Sequence, residues 1–271
     1  MYPEDFRSSS SGRVVRTTTG FWAFVPAPLP PSLHWSESLI SRLSAADRAL
    51  GELAGLGRTL PNPHLLIQPL MYREAVLSSR IEGTRASLGD LYAHEAAAQP
   101  ALFDIPDDVQ EVKNHVLALE YGLERLHTLP ISLRLIREIH AHLLQGVRGE
   151  RKLPGEFRRS QNWIGPSGST PETAPYVPPP VAEMHVALYA FEKFLHASSD
   201  LPPLIRLGMV HPQFEAIHPF LDGNGRIGRL LLILLLCEWQ LLPQPLLYLS
   251  VYFEARRQTY YDLLLAVTPR G

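Results

Sequence analysis

The stretch from Ile217 to Leu236 gathers in one short run the residue types that handling a phosphorylated substrate requires. Gly223, Gly225 and Gly228 carry no side chains, so backbone N–H groups there can approach an anion closely. The apolar run Leu230 to Leu236 reads as a buried helix. A glycine turn at the N-terminus of such a helix offers unpaired amides and the positive end of the helix dipole to phosphate. Arg226 and Arg229 share nearly one helical face, so two guanidiniums can clamp separate phosphates of one nucleotide. Asp222 is a hard oxygen ligand suited to Mg²⁺, which binds through one or two carboxylates plus phosphate oxygens. His218, with an ordinary pKa of about 6.5, can take a proton from an attacking hydroxyl near neutral pH. A base, a metal ligand, a phosphate cradle and two cationic clamps are the parts of phosphoryl-type transfer, where positioning and charge stabilisation dominate.

Those residues must be held by helices, because helical periodicity dominates the chain. Leu39, Leu43, Ala46, Leu50 and Leu53 recur at helical spacing from Ser38 to Leu56. A second helix is predicted from about Leu65 to Glu82, stopped by Gly83 as a left-handed cap. A third begins at Asp107 or Asp108 as N-cap and runs through Leu123. Further helices are predicted at 132–144, 181–195, 204–217, 223–242 and 254–265, with Pro212 kinking or breaking the one over 204–217. Residues 148–180 lose helical period in favour of Gly, Pro and polar residues, and long irregular stretches of that kind are often functional. Strand alternation is nearly absent apart from a short hairpin arm at Tyr176-Val177. The predicted fold class is mostly α, divided into an N-terminal arm over 1–37, a helical region over 38–106 and a core over 107–271.

Composition sets outer limits. The hydrophobic share of 45% with 19% charged residues fits a globular chain with a sizeable core. A net charge of −2 gives no basic surface for nucleic acid or membrane. The single Cys237 excludes an intrachain disulfide, and no apolar run approaches the roughly 18 residues of a membrane span. The expectation is a cytoplasmic protein.

The joint pattern His218-Pro219-Phe220-x-Asp222-Gly223-Asn224-Gly225-Arg226-x-x-Arg229 resembles the signature of the Fic family of adenylyltransferases. The resemblance implies a Fic-type helical bundle with a short flap, ATP as substrate and Mg²⁺ as its companion. It implies that His218 deprotonates a target Ser, Thr or Tyr hydroxyl, which attacks the α-phosphate of ATP and releases pyrophosphate. Asp222 becomes the magnesium ligand. Asn224 with the Gly223 and Gly225 amides holds the α- and β-phosphates, Arg226 contacts the β-phosphate and Arg229 the γ-phosphate. Gly225 stands where the kinase-like branch of the family has lysine. The implied partners are a target protein, the chain itself through automodification, and a second copy in a homodimer. Two other readings stay open: transfer of another phosphate-containing group, and a catalytically silent interaction module.

A second segment bears on the first. Ser78-x-x-x-Glu82-Gly83 resembles the family's inhibitory helix, lying upstream of the loop as in the class that inhibits itself from the N-terminal side. If Glu82 pairs with Arg229, the arginine loses its donors to a carboxylate that also repels the triphosphate. In the irregular region, Ala174, Pro175, Tyr176 and Val177 are expected to form a flap over the active site, holding an extended target by strand addition. Arg158 is expected in a structural ion pair with Glu156 or another acid, and Trp163 as a core anchor.

Overall fold

The computed structural model describes residues 3–6, 9–96 and 106–270. Residues 97–105, inside the region expected over 38–106, and Gly271 lie outside that description. Helix α1 (Glu37–Thr59) begins where the Ser36 hydroxyl accepts from the Leu39 amide at 3.2 Å. Helix α2 (His64–Ile81) ends at Gly83, whose φ of +99° only glycine adopts cheaply. A helix with no counterpart in the sequence reading, α3 (Leu88–Ala96), follows. Helix α4 (Asp107–Arg125) has Pro106 rather than an aspartate at its N-cap. Asp107 and Asp108 sit in its first turn, where the helix dipole favours them, and Asp108 accepts from the Arg85 amide at 2.8 Å. Helix α5 (Leu133–Leu143) is capped by Ser132, as its sequence implies.

Helices α6 (Val181–His196), α7 (Pro203–Ile217) and α8 (Asn224–Glu238) match the remaining periodic stretches. Pro212 does not break α7. Leu207, Val210, Phe214 and Ile217 bury one side of that helix, and their burial outweighs the roughly 3 kcal/mol an exposed interior proline costs. The last predicted helix is two, α9 (Ser250–Ala255) and α10 (Arg257–Arg270).

The N-terminal arm departs most from expectation. Strands β1 (Gly12–Arg16) and β2 (Trp22–Pro26) pair antiparallel, with Val14 opposite Phe24. Ala23, Phe24 and Val25 are all buried, so β2 shows none of the alternation by which a half-buried strand is recognised. The expected hairpin arm at Tyr176 is present as a single antiparallel bridge between Ile164 and Tyr176.

The chain divides into two compact units. Unit one comprises residues 1–35, 157–224 and 258–271, and unit two comprises 36–156 and 225–257. In unit one, α6 packs on α7 and both pack on β2. In unit two, α4 packs on α5, and α2 packs on α4 and α9. No described helix is long and apolar enough to cross a membrane.

Candidate active site

The signature runs through both units, His218 to Asn224 in the first and Gly225 to Arg229 in the second. In unit one, His218 ends α7 in the left-handed region, at φ 49° and ψ 60°. Its amide donates to the Phe214 carbonyl at 3.0 Å, closing the helix. Nδ1 lies 3.3 Å from the Glu215 carbonyl, which can only accept, so Nδ1 carries the proton and Nε2 is the basic nitrogen. Phe220 is fully buried against Phe157 and Phe214, anchoring the loop. The Asn224 side chain makes two bonds to one residue, accepting from the Phe220 amide and donating to its carbonyl, each at 2.9 Å. Asn224 is thereby tied to the loop's own backbone. Asp222 stays partly exposed and accepts from the Gly223 amide at 2.6 Å, across a glycine at φ +78°.

In unit two, Arg226 and Arg229 are almost completely buried. Arg229 donates from Nε to the Ser78 hydroxyl at 2.8 Å and from its second terminal nitrogen to the Ser78 carbonyl at 2.9 Å. The same nitrogen meets Glu82 Oε1 at 2.7 Å. A methyl group at Gly225 would stand 2.3 Å from that Glu82 oxygen, so glycine is what lets the carboxylate lie here. Arg226 lies 3.7 Å from buried Glu111, whose other oxygen faces Arg148 at 3.6 Å. Glu111 also accepts from the Thr84 hydroxyl at 2.7 Å, tying down the turn that follows Gly83. His115, one turn along α4 from Glu111, is buried, and among the described residues neither ring nitrogen has a hydrogen-bond partner. Burial, then Arg229 and Arg226, hold it well below the usual histidine pKa, so it is neutral.

The remaining predicted residues fall as follows. Ala174, Tyr176 and Val177 are buried and Pro175 is exposed. The Tyr176 backbone is bridged to Ile164, and the Val177 carbonyl accepts from the β2 residue Phe24 at 2.9 Å. The segment is thus covered by the N-terminal hairpin rather than presenting an open edge on that side. Trp163 is no core anchor: it is 42% exposed, with its indole N–H on the Ser169 carbonyl. Glu156 pairs with Arg137, whereas Arg158 is wholly buried with carbonyls as its partners. Glu111 is a residue that sequence reasoning missed, and Arg158 is one whose partners it misassigned. No spacing rule points to either pairing, since His218 lies 60 residues from Arg158 and Arg226 lies far along the chain from Glu111.

Comparison with known proteins agrees with this fold. A Fic family protein from Desulfovibrio desulfuricans G20 superimposes with a TM-score of 0.64 at 24% identity, covering 89% of this chain and 71% of its own. Fic-1 from C. elegans, over residues 134–508, gives 0.59 at 21% identity, covering 85% and 68%. The fold is thus the mostly helical Fic fold. The profile of the Fic/DOC family N-terminal region matches residues 40–124, and that of the Fic/DOC family residues 130–236. Together they span well over half the sequence, and the chain belongs to the Fic/DOC family. Curated relatives include the protein adenylyltransferase Fic of Drosophila virilis, 34% identical over 161 residues, and that of Drosophila grimshawi, 31% identical over 163. Those matches cover 58% and 59% of this chain but only 30% of each relative's length.

Proposed function

We propose that this chain is a protein adenylyltransferase, moving AMP from ATP to a hydroxyl of a target protein, and that Glu82 holds it in check. The observation that carries the activity is the His218 loop, with its imidazole fixed through Nδ1 and the chain running directly from the loop into α8. In the proposed step, His218 Nε2 takes the proton of the target hydroxyl. The hydroxyl oxygen forms a bond to the α-phosphorus, and the bond from that phosphorus to the bridging oxygen breaks. Pyrophosphate leaves, carrying the negative charge that Arg226 and Arg229 are suited to receive.

Among the described residues no group of three or more His, Cys, Asp or Glu side chains is placed to hold a metal ion. Asp222, partly exposed beside the Gly223 amide, has the donor chemistry for the single protein carboxylate that Mg²⁺ often takes when it arrives with a triphosphate. Bound there, the ion would neutralise charge on the phosphate oxygens.

The contact at 2.7 Å between Glu82 and Arg229 supports the restraint. A guanidinium whose Nε and one terminal nitrogen are already engaged by Ser78 and a carboxylate has fewer donors to offer a γ-phosphate, and the carboxylate repels that phosphate. Incubation with labelled ATP and Mg²⁺ followed by mass spectrometry tests both parts. Glu82→Gly is expected to raise adenylylation of the chain itself by tenfold or more, on the order of one lost charge pair, and His218→Ala to abolish it. Labelling of the Glu82→Gly protein no stronger than wild type would reject the restraint, and labelling of the His218→Ala protein would reject the base.

A further inference from the structure

Helix α7 ends on a residue whose backbone is costly. A non-glycine residue in the left-handed region is disfavoured by roughly 1–3 kcal/mol and persists only where its surroundings over-determine it. His218 is such a residue, and its surroundings are specific. A helix terminus leaves its last carbonyls without partners. Here the carbonyls at and after the terminus are taken up by donors from the irregular stretch 157–177. The Tyr176 hydroxyl donates to the Ala216 carbonyl at 2.7 Å. Arg158 Nε donates to the His218 carbonyl at 3.0 Å, and the Arg158 amide to the Pro219 carbonyl at 2.9 Å. Asn162 Nδ2 donates to the Phe220 carbonyl at 2.9 Å.

Arg158 joins more than the loop. Its terminal nitrogens donate to the Ser160 carbonyl at 3.2 Å and to the Pro179 carbonyl. One planar fork therefore ties the His218 peptide to both arms of the bridge between Ile164 and Tyr176. The guanidinium is fully buried, and its partners are main-chain carbonyls rather than an acid. Burial lowers its pKa to about 10, which leaves it charged at neutral pH. A buried cation with no acid among its described partners is expensive, and an ordinary packing role would be served by an apolar side chain. Lysine cannot reproduce its contacts, because a single ammonium cannot reach carbonyls that a rigid fork spans.

We propose that Arg158 is a positioning residue for His218, with Asn162 as its auxiliary: by holding the peptide planes of the loop they set the direction of the imidazole without touching substrate. The proposal rests on the reading of His218 as the base. It predicts a loss confined to the chemical step. Misplacing a reacting group by about 1 Å lowers rate about 10²-fold, whereas the arginines and the glycine turn that would hold nucleotide are untouched.

The test compares Arg158→Lys and Asn162→Ala in a Glu82→Gly background, measuring ATP binding by calorimetry and the rate of adenylylation against pH. Expected is a fall in kcat of about 10²-fold for Arg158→Lys and a smaller fall for Asn162→Ala, with the Kd for ATP within twofold and the acid limb of the pH profile displaced. Asn162→Ala keeps the test alive should the buried lysine prevent folding. An unchanged kcat per folded molecule with only a lowered Tm, or a kcat loss matched by an equal loss of ATP affinity, would overturn the positioning role alone. A Glu82→Gly protein that binds ATP and never transfers AMP would overturn the His218 reading and this inference with it.

Discussion

At the scale of single residues, the polar interior of unit two is unusual in how its charges are settled. Arg229 has the Ser78 hydroxyl and carbonyl and the Glu82 carboxylate around it, whereas Arg226 has a looser carboxylate in Glu111. His115 lies among these groups with no hydrogen bond to any described residue and stays neutral through burial, Arg229 and Arg226. Its consequence for stability has a definite sign. The folded state keeps this imidazole unprotonated below pH 6.5, the unfolded chain protonates it there, and so stability is present above about 6.5 and lost as pH falls. The free energy of urea unfolding should fall between pH 6.5 and 5.5 with a His115 share approaching about 1.4 kcal/mol per pH unit. His115→Leu should remove that share while leaving stability at pH 7.5 nearly unchanged, because no hydrogen bond is lost. An identical pH slope in the two proteins would contradict the neutral assignment.

At the scale of elements, α2 and α4 each carry a polar stripe inside an otherwise apolar contact. Glu74, Ser78 and Glu82 follow one another at intervals of four along α2 and its cap, so they line one face. Ser78 and Glu82 meet Arg229, while Glu74 accepts from the Ser250 amide at 3.1 Å and from the Ser250 hydroxyl. Glu74 thereby does for α9 what an N-cap side chain does, since Leu249 at the N-cap position makes no such bond. Glu74→Ala is expected to cost about 1–3 kcal/mol, the penalty of leaving buried donors without a partner. Hydrogen exchange should then quicken over residues 250–257 with little change in α4 and α5. Exchange that stays slow there would mean that apolar packing of α2 on α9 suffices. On α4, Glu111 and His115 form the matching stripe, and the bond from Thr84 to Glu111 links the end of α2 to that face.

At the scale of the whole molecule, unit one is assembled from three stretches distant in sequence, and the N-terminal hairpin is what closes it. Phe24 is fully buried, its ring 5.5 Å from that of Phe6 and 6.1 Å from that of Tyr176. Its amide reaches the Val177 carbonyl, and the Gln213 side chain on α7 reaches the Ala27 carbonyl at 2.9 Å. Ser11 meets the Thr268 carbonyl at 2.9 Å, drawing α10 to the same end of the unit. Phe24→Ala should therefore cost about 3–5 kcal/mol. Its damage should appear as faster exchange across 174–177 and the end of α7, with residues 36–156 protected as before. Uniform loss of protection along the chain would show instead that the two units unfold as one.

What the sequence determined by itself is local. Helical period placed α1, α2 and α4 to α8 to within a few residues, and Ser36, Ser132 and Gly83 act at helix ends because capping depends on neighbours within one turn. The signature from His218 to Arg229 was legible for the same reason, its spacing being set by one loop and the first turn of one helix. Tertiary structure decided the rest. It made a hairpin of the arm, kept α7 continuous through Pro212, turned Asn224 inward to Phe220 and exposed Trp163. It also chose partners: Arg158 reaches across 60 residues to the His218 carbonyl, and Ser78 across 151 to Arg229. Period and propensity act over a few residues, whereas which buried donor meets which acceptor follows only once folding has closed those long loops and removed the water that would otherwise serve both.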